Sequence, residues 1–156
     1  MAYGDIAEVV LNVAPVAGIL DTMRQRGISH EAIKAVLRKL GIDPSERMND
    51  LDQDAEFTAC RADEIPRYFR LYTQGNLGPV ELDVLCCFLL ESLNDCLHDG
   101  TPHPLQEDIF AALFNAGELH ADELAYWMNT PDPDEENWAP ITKVLLQHRD
   151  GGTRPC

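Results

Sequence analysis

The stretch Val84-Leu-Cys-Cys-Phe-Leu-Leu90 decides the fold, because its seven residues are all apolar and leave no polar face. Such a segment is either a buried strand or a helix that other helices surround. Pro79 stands just before it, at a position that suits the first turn of a helix. After the run, Leu93 and Leu97 continue an apolar stripe at helical spacing, and a polar edge appears at Glu91, Asp95 and Asp99. The pattern therefore favours a central helix over residues 79–98.

Amphipathic spacing on both sides of this segment predicts further helices. Apolar residues between Ile6 and Met23 recur every three or four positions, and Pro15 predicts a kink among them. Ser29 is a candidate N-cap for a helix that ends at Gly41. Other predicted helices begin near Pro66, Leu105, Leu119 and Pro140. With no alternating strand pattern, we predict an all-α fold: one compact domain of about six to eight helices over residues 1–150, followed by a flexible tail at 151–156.

Composition indicates a folded protein of the cytoplasm. The chain has 156 residues, of which 45% are hydrophobic, enough to bury one core. No uncharged apolar run reaches the roughly 18 residues of a membrane span, and no basic region of a signal peptide precedes the first apolar stretch. Five cysteines, an odd number, fit a reducing compartment better than a disulfide framework. We expect a cytoplasmic protein without membrane association.

Charge is distributed unevenly along the chain. The formal net charge is −15, from 27 acidic and 12 basic residues. Between Arg70 and Lys143 the sequence contains fourteen Asp and Glu residues and no Lys or Arg. Surfaces usually intersperse both signs, because crowding of one sign destabilises the compact state. Four of these acids occupy one proline-rich loop between two tryptophans, Trp127 and Trp138: Asp132, Asp134, Glu135 and Glu136.

This acidic half predicts a docking surface for a basic protein. Complementary charge speeds encounter, and aromatic anchors supply much of the binding energy. The predicted partner-binding residues are Asp132, Asp134, Glu135, Glu136, Trp138, Trp127, Glu118 and Asp122. In composition and charge, though in no motif, the profile is similar to the bacterial immunity proteins, small acidic helical inhibitors of nuclease-type toxins. Our hypothesis is a non-catalytic protein that masks a basic protein partner, for example a nuclease-type toxin.

Other interpretations of the acidic half stay open. An acidic surface also serves solubility alone, and in that case the two tryptophans belong to the core. An adaptor or a secretion chaperone would carry the same charge pattern as an inhibitor. The oligomeric state is likewise left open by the sequence.

Residues 19–40 provide an alternative, a DNA-binding helix-turn-helix. Gly27 would be the glycine of the turn, and Arg38 and Lys39 belong to the one basic stretch of the chain. Arg26, however, occupies a position that usually packs inside the motif, and the acidic remainder of the domain repels phosphate backbones. Nucleic acid is therefore the less favoured partner.

Motifs for metal binding and catalysis are incomplete. Asp50-Leu-Asp52-Gln-Asp54 begins like a calcium loop, but Ala55 and Arg61 replace the glycine and glutamate that the loop requires. Cys96, His98 and His103 lack the second ligand pair of a zinc site. We therefore predict no metal and no cofactor. An enzyme whose catalytic residues come from distant positions is a further alternative.

Arg67 and Arg70 are three residues apart among aromatic residues, and on a helix they share a face. Two guanidinium groups on one face are suited to grip a phosphate or a carboxylate. Pairing with the protein's own abundant acids is the interpretation that we favour from sequence.

Overall fold

The computed structural model describes residues 28–49, 51 and 53–151, which contain seven α-helices and no strand. The helices are α1 His30–Lys39, α2 Ala55–Thr58, α3 Ile65–Gln74, α4 Pro79–His98, α5 Gln106–Asn115, α6 Ala121–Met128 and α7 Pro140–Gly151. Short 3-10 turns occupy Pro44–Glu46, Ala62–Glu64, Gly117–His120 and Glu135–Asn137. The predicted all-α fold class is confirmed.

Two predictions fall wholly or partly outside the described residues. The kinked helix from Ile6 to Met23 lies there, and so does the tail from residue 152 onward. Gly151, predicted as the start of that tail, is the last residue of α7. The assignment of residues 1–150 to a single domain stays a prediction.

Helix α4 forms the centre of the described structure and has the predicted bounds. Every residue from Asp83 to Leu90 is buried, so the apolar run is a helix in the core rather than a strand. Helices α1, α2, α3, α5 and α7 pack directly against α4, and α6 packs on α7. Each fully buried leucine or phenylalanine stabilises the fold by about 1.5–3 kcal/mol relative to exposure.

Local sequence signals explain where the helices begin and end. Ser29 Oγ accepts the backbone N–H of Ala32 at 3.2 Å and caps α1. Gly41 adopts a positive φ of 80°, and the N–H of Ile42 donates to the carbonyl of Leu37, which completes a Schellman turn. At the start of α4, Glu81 Oε1 accepts the N–H of Gly78 at 3.2 Å. These ends hold α1 beside α3 and α4.

Candidate functional site

The acidic loop, residues 132–138, connects α6 to α7 and is ordered by its own hydrogen bonds. Asp132 Oδ1 accepts the backbone N–H of Asp134 at 2.9 Å, and Asp132 Oδ2 accepts Nδ2 of Asn137 at 2.8 Å. Asp134 Oδ1 accepts the backbone N–H of Glu136 at 3.1 Å. Aspartates that bind nearby backbone N–H groups in this way form compact turns. Two of the four predicted acids therefore shape the loop.

The other two acids present their carboxylates to solvent. Glu135 Oε1 lies 3.3 Å from Lys143 Nζ, and both side chains are more than half exposed. Glu136 is exposed and forms no ion pair with any described residue. An exposed pair of this kind contributes about 0–1 kcal/mol. A cation from another protein would therefore displace Lys143 from Glu135 at little cost.

Trp138 lies beside these carboxylates and is half-buried. Its indole Nε1 donates to the backbone carbonyl of Asp132 at 2.7 Å, so the ring is held against the loop. Together with Glu135 and with Leu146 and Asp150 of α7, it lines a surface groove of about 720 Å³. The groove therefore combines an aromatic wall and an aliphatic wall with the acids Glu135 and Asp150, and Lys143 is the cation that also lines it.

Trp127, a predicted partner-binding residue, lies in the core, where it is 8% exposed. Its ring packs edge-on against Phe57 and Tyr126, with centroids 6.0 and 5.5 Å away. Its carbonyl accepts the hydroxyl of Thr142 at 2.7 Å. Trp127 thus joins the end of α6 to the beginning of α7, the two helices that the acidic loop connects.

Glu118 and Asp122, the remaining predicted residues, are exposed at the other end of α6. Asp122 is six residues before the end of this helix, so about 9 Å of helix axis separates it from the start of the connection to the loop. Glu118 lies in the Gly117–His120 turn and Asp122 in the first turn of α6, at the end of this helix that is far from the loop. They do not belong to the groove at Trp138.

The other candidate sites are only partly within the described residues. Asp50 and Asp52 of the calcium-like loop lie outside them, as does the first helix of the helix-turn-helix alternative. Among the residues that are described, no three His, Cys, Asp or Glu side chains are arranged to hold a metal ion. His103, one of the three candidate ligands, instead accepts the N–H of Leu105 at its Nδ1, at 3.0 Å.

A buried hydrogen-bonded chain, Asp83–His120–Tyr72, was missed by the sequence analysis. Asp83 Oδ1 lies 3.0 Å from His120 Nδ1, and His120 Nε2 lies 2.8 Å from the Tyr72 hydroxyl. The Asp83 carboxylate accepts from Nδ1, which leaves Nε2 to accept from the tyrosine. The three residues belong to α4, the Gly117–His120 turn and α3, which are far apart in the sequence.

This chain has the order of a carboxylate, an imidazole and a hydroxyl, which is the order of a nucleophile-activating triad. Burial, together with the nearby Cys86 and Asp83, raises the pKa of Tyr72 to about 12. Two hydrogen bonds of this chain join α3, α4 and the Gly117–His120 turn, so the chain is a polar clamp between these elements.

Burial also shifts the pKa values of two groups on α4, Glu91 and Cys87, and of Cys60 after α2. Burial and the neighbouring Asp95 raise the pKa of Glu91 to about 7. Burial raises the pKa of the Cys60 thiol to about 12 and that of Cys87 well above its usual range. A thiol becomes a nucleophile only as the thiolate, so neither cysteine is activated at neutral pH.

Searches against protein-family models, curated proteins and solved structures found no match to this chain. Among the residues that the structure describes, no helix combines the length and the apolar character that crossing a membrane requires. The binding chemistry of this protein has to be inferred from its own surface.

Proposed function

We propose that this protein is a non-catalytic binding protein that masks a basic protein partner through the acidic loop and the groove at Trp138. One observation carries the proposal: the loop is ordered by internal hydrogen bonds and still leaves the carboxylates of Glu135 and Glu136 exposed beside a half-buried tryptophan. A surface that is ordered before binding loses less conformational entropy when the partner arrives.

The chemistry of this surface matches what protein interfaces use. Energetic anchors at interfaces are most often Trp, Tyr and Arg, and polar groups at the rim exclude water around them. Trp138 would be the anchor, Leu146 the neighbouring apolar contact and Glu135 the charged rim of the groove, with the exposed carboxylate of Glu136 next to Glu135 in the loop. Glu118 and Asp122 would extend electrostatic contact to a partner large enough to cover α6.

The charge of the surface supports the proposal of a basic partner. Lys143 and Arg149 are the basic side chains described between residues 71 and 151, against fifteen acids over the same span. Opposite charge speeds encounter, whereas like charge rejects other acidic proteins. We place a nuclease-type toxin among the candidate partners, because the acids would occupy positions that substrate phosphates take on such a protein.

The proposed location of this binding is the cytoplasm. Within the described residues, Cys60, Cys86, Cys87 and Cys96 are free thiols. Free thiols are typical of reducing compartments, where disulfides seldom persist. This chemistry supports the cytoplasmic location inferred from the odd number of cysteines.

The test compares capture of partners by the full chain and by two charge-matched variants. The binding variant is Glu135→Lys with Glu136→Lys, which reverses the exposed carboxylates of the loop. The control is Glu46→Lys with Asp63→Lys, two exposed acids on the segment between α1 and α3. Both variants change the net charge by the same amount, so an effect of overall charge appears in both.

We expect the wild type and the control to retain the same basic protein from a native-cell extract at low salt, and the loop variant to release it. With that protein purified, the association rate should fall about tenfold or more in the loop variant and lose most of its salt dependence. Lys143→Ala should instead raise the association rate, because it removes the cation that competes with the partner for Glu135. Equal retention by both double variants, or recovery of nucleic acid alone, would refute the proposal.

A further inference from the structure

A pocket of about 320 Å³ lies between the end of α1 and the outer face of α3. Its lining includes three cationic side chains in a protein of net charge −15: Lys39, Arg67 and Arg70. The pocket belongs to α1 and α3, whereas the acidic loop joins α6 to α7. We propose that this pocket binds the phosphate group of a small phosphate ester, a ligand that the masking of a basic protein does not require.

The local fold builds the pocket from two helices. Arg67 and Arg70 are three residues apart on α3, so they share a face of that helix. The Schellman turn at Gly41 ends α1 and leaves the carbonyl of Leu40 within hydrogen-bonding reach of Arg67, whose Nη2 donates to it. Arg67 Nη1 also lies 3.3 Å from Glu64 Oε2. These contacts hold the guanidinium of Arg67 at the pocket wall.

Glu64, the first of the two acids near the pocket, is committed elsewhere. Its Oε2 lies 2.6 Å from Arg47 Nη2, and its Oε1 accepts the Tyr68 hydroxyl at 2.8 Å. Burial opposes ionisation of Glu64, but the hydrogen bonds from Arg47 and Tyr68 outweigh it, so the pKa of Glu64 is lowered. This carboxylate is therefore neutralised mainly by Arg47, so the positive charge of Arg67 is only partly compensated, although its Nη1 and Nη2 already contact Glu64 and Leu40.

Glu81, the second acid, interacts weakly with the pocket. Its Oε2 lies 3.7 Å from Lys39 Nζ, while its Oε1 accepts the N–H of Gly78 at the start of α4. Lys39 is 45% exposed, so this ion pair is easily exchanged. Arg70 forms no ion pair or side-chain hydrogen bond with any of the residues that the structure describes. Its guanidinium is the cation most available to an incoming anion.

The chemistry of the lining residues suits a phosphate dianion. Arginine binds phosphate oxygens through two parallel N–H donors, and lysine adds a compact positive charge. A phosphate dianion has enough oxygens for all three cations, whereas a single carboxylate is satisfied by one arginine. Leu40 and Leu71 provide an apolar wall and Gln74 an amide for the remainder of the ester. The volume is at the small end of the range for ligand pockets, which favours a small ester.

The overall negative charge of the protein affects how an anionic ligand approaches the pocket. At long range the protein repels anions, so encounter is not steered towards the pocket. At 150 mM salt this repulsion is screened beyond roughly 8 Å, whereas contacts inside a pocket are screened much less. Binding should therefore be measured at physiological salt, where short-range contacts dominate.

The experiment is isothermal titration calorimetry of the full chain with glycerol 3-phosphate at 150 mM salt. We expect saturable binding that becomes at least tenfold weaker in Arg70→Ala, with Arg70→Lys in between because lysine lacks the paired donors. The matched control is Arg149→Ala, which removes an exposed arginine of α7 and should bind like the wild type. Because Arg70 is exposed, Arg70→Ala and Arg70→Lys should unfold at the wild-type temperature.

Several results would overturn the proposal. One is the absence of binding heat with glycerol 3-phosphate, inorganic phosphate and pyrophosphate. Another is an equal affinity of Arg70→Ala and the wild type for glycerol 3-phosphate. Succinate binding as tightly as the phosphate compounds would identify a carboxylate site instead. Tight binding of a short oligonucleotide without binding of the small phosphates would identify a nucleic-acid surface. Glycerol alone should produce no heat, and a saturable signal from it would show that the phosphate is not the group recognised.

Discussion

Tyr72→Phe tests the buried Asp83–His120–Tyr72 chain. The Tyr72 hydroxyl donates to His120 Nε2 at 2.8 Å, and the His120 side chain is fully buried. Phenylalanine retains the ring that packs 5.7 Å from the imidazole, so apolar packing is preserved. The variant leaves a buried acceptor without its donor, which costs about 1–3 kcal/mol. We expect a loss of free energy of unfolding within this range.

A double-mutant cycle separates the hydrogen bond from other effects of the substitution. His120→Leu removes the acceptor, so Tyr72→Phe made in that background should cost little. The coupling energy between the two sites should therefore be about 1–2 kcal/mol. Replacing both partners of a buried hydrogen bond by apolar groups is often close to neutral relative to removing one.

Urea unfolding followed by tryptophan fluorescence is the appropriate assay, with the m-value checked for constancy among the variants. In a thermal melt, each kcal/mol should lower the Tm by about 2–4 °C for a chain of this length. The control is Thr73→Val on the same helix, where an exposed hydroxyl is bonded to the carbonyl of Phe69 at 3.0 Å. This control should stay within about 0.5 kcal/mol of wild type. The hydrogen-bonded chain does not stabilise the fold as described if Tyr72→Phe loses no more stability than Thr73→Val. The same holds if the effects of Tyr72→Phe and His120→Leu are additive.

Two further predictions concern α4. The pKa of Glu91 rises from 4.5 to about 7 on folding, so the folded state binds the extra proton and stability falls as pH rises between those values. Glu91→Gln should have the same free energy of unfolding as the wild type near pH 4. At pH 8 it should be more stable by about 1 kcal/mol, a figure reduced because Glu91 is partly exposed. Urea titrations at both pH values test this, and a difference between variant and wild type that is the same at both would contradict it. Leu89→Ala should cost about 2–5 kcal/mol because its side chain is fully buried. Leu51→Ala, at a leucine 88% exposed, should change the free energy of unfolding by less than about 0.5 kcal/mol, and similar losses at both positions would refute the assigned core.

The helices were predictable because their signals are local. The run from Val84 to Leu90 is apolar on every side, so only a central element accommodates it, and Pro79 marks where its helix begins. Ser29 and Gly41 bound α1 through hydrogen bonds within a few residues of each end. Information of this kind is contained in short stretches of sequence.

The candidate site was less predictable, because its features depend on contacts between distant residues. Trp127 and Trp138 flank the same loop and look alike in the sequence. Phe57 of α2 contributes to the core contact that buries Trp127, whereas Trp138 lines the groove. His120 likewise meets Tyr72 across 48 positions of the chain. Neither relation follows from spacing or composition.

Charge counting has a further weakness at the acidic loop, since it treats four carboxylates as equivalent. Hydrogen bonding divides them: Asp132 and Asp134 bind N–H groups of the loop, while Glu135 and Glu136 stay available. The same division applies to cations, because Arg47 is committed to Glu64 and Arg70 is not committed to any described side chain. A charge therefore contributes to recognition only where the fold has not already used it. By that criterion the described part of the chain has an acidic surface at Glu135 and Glu136 and a basic one at Arg70, and the net charge of −15 indicates only the first.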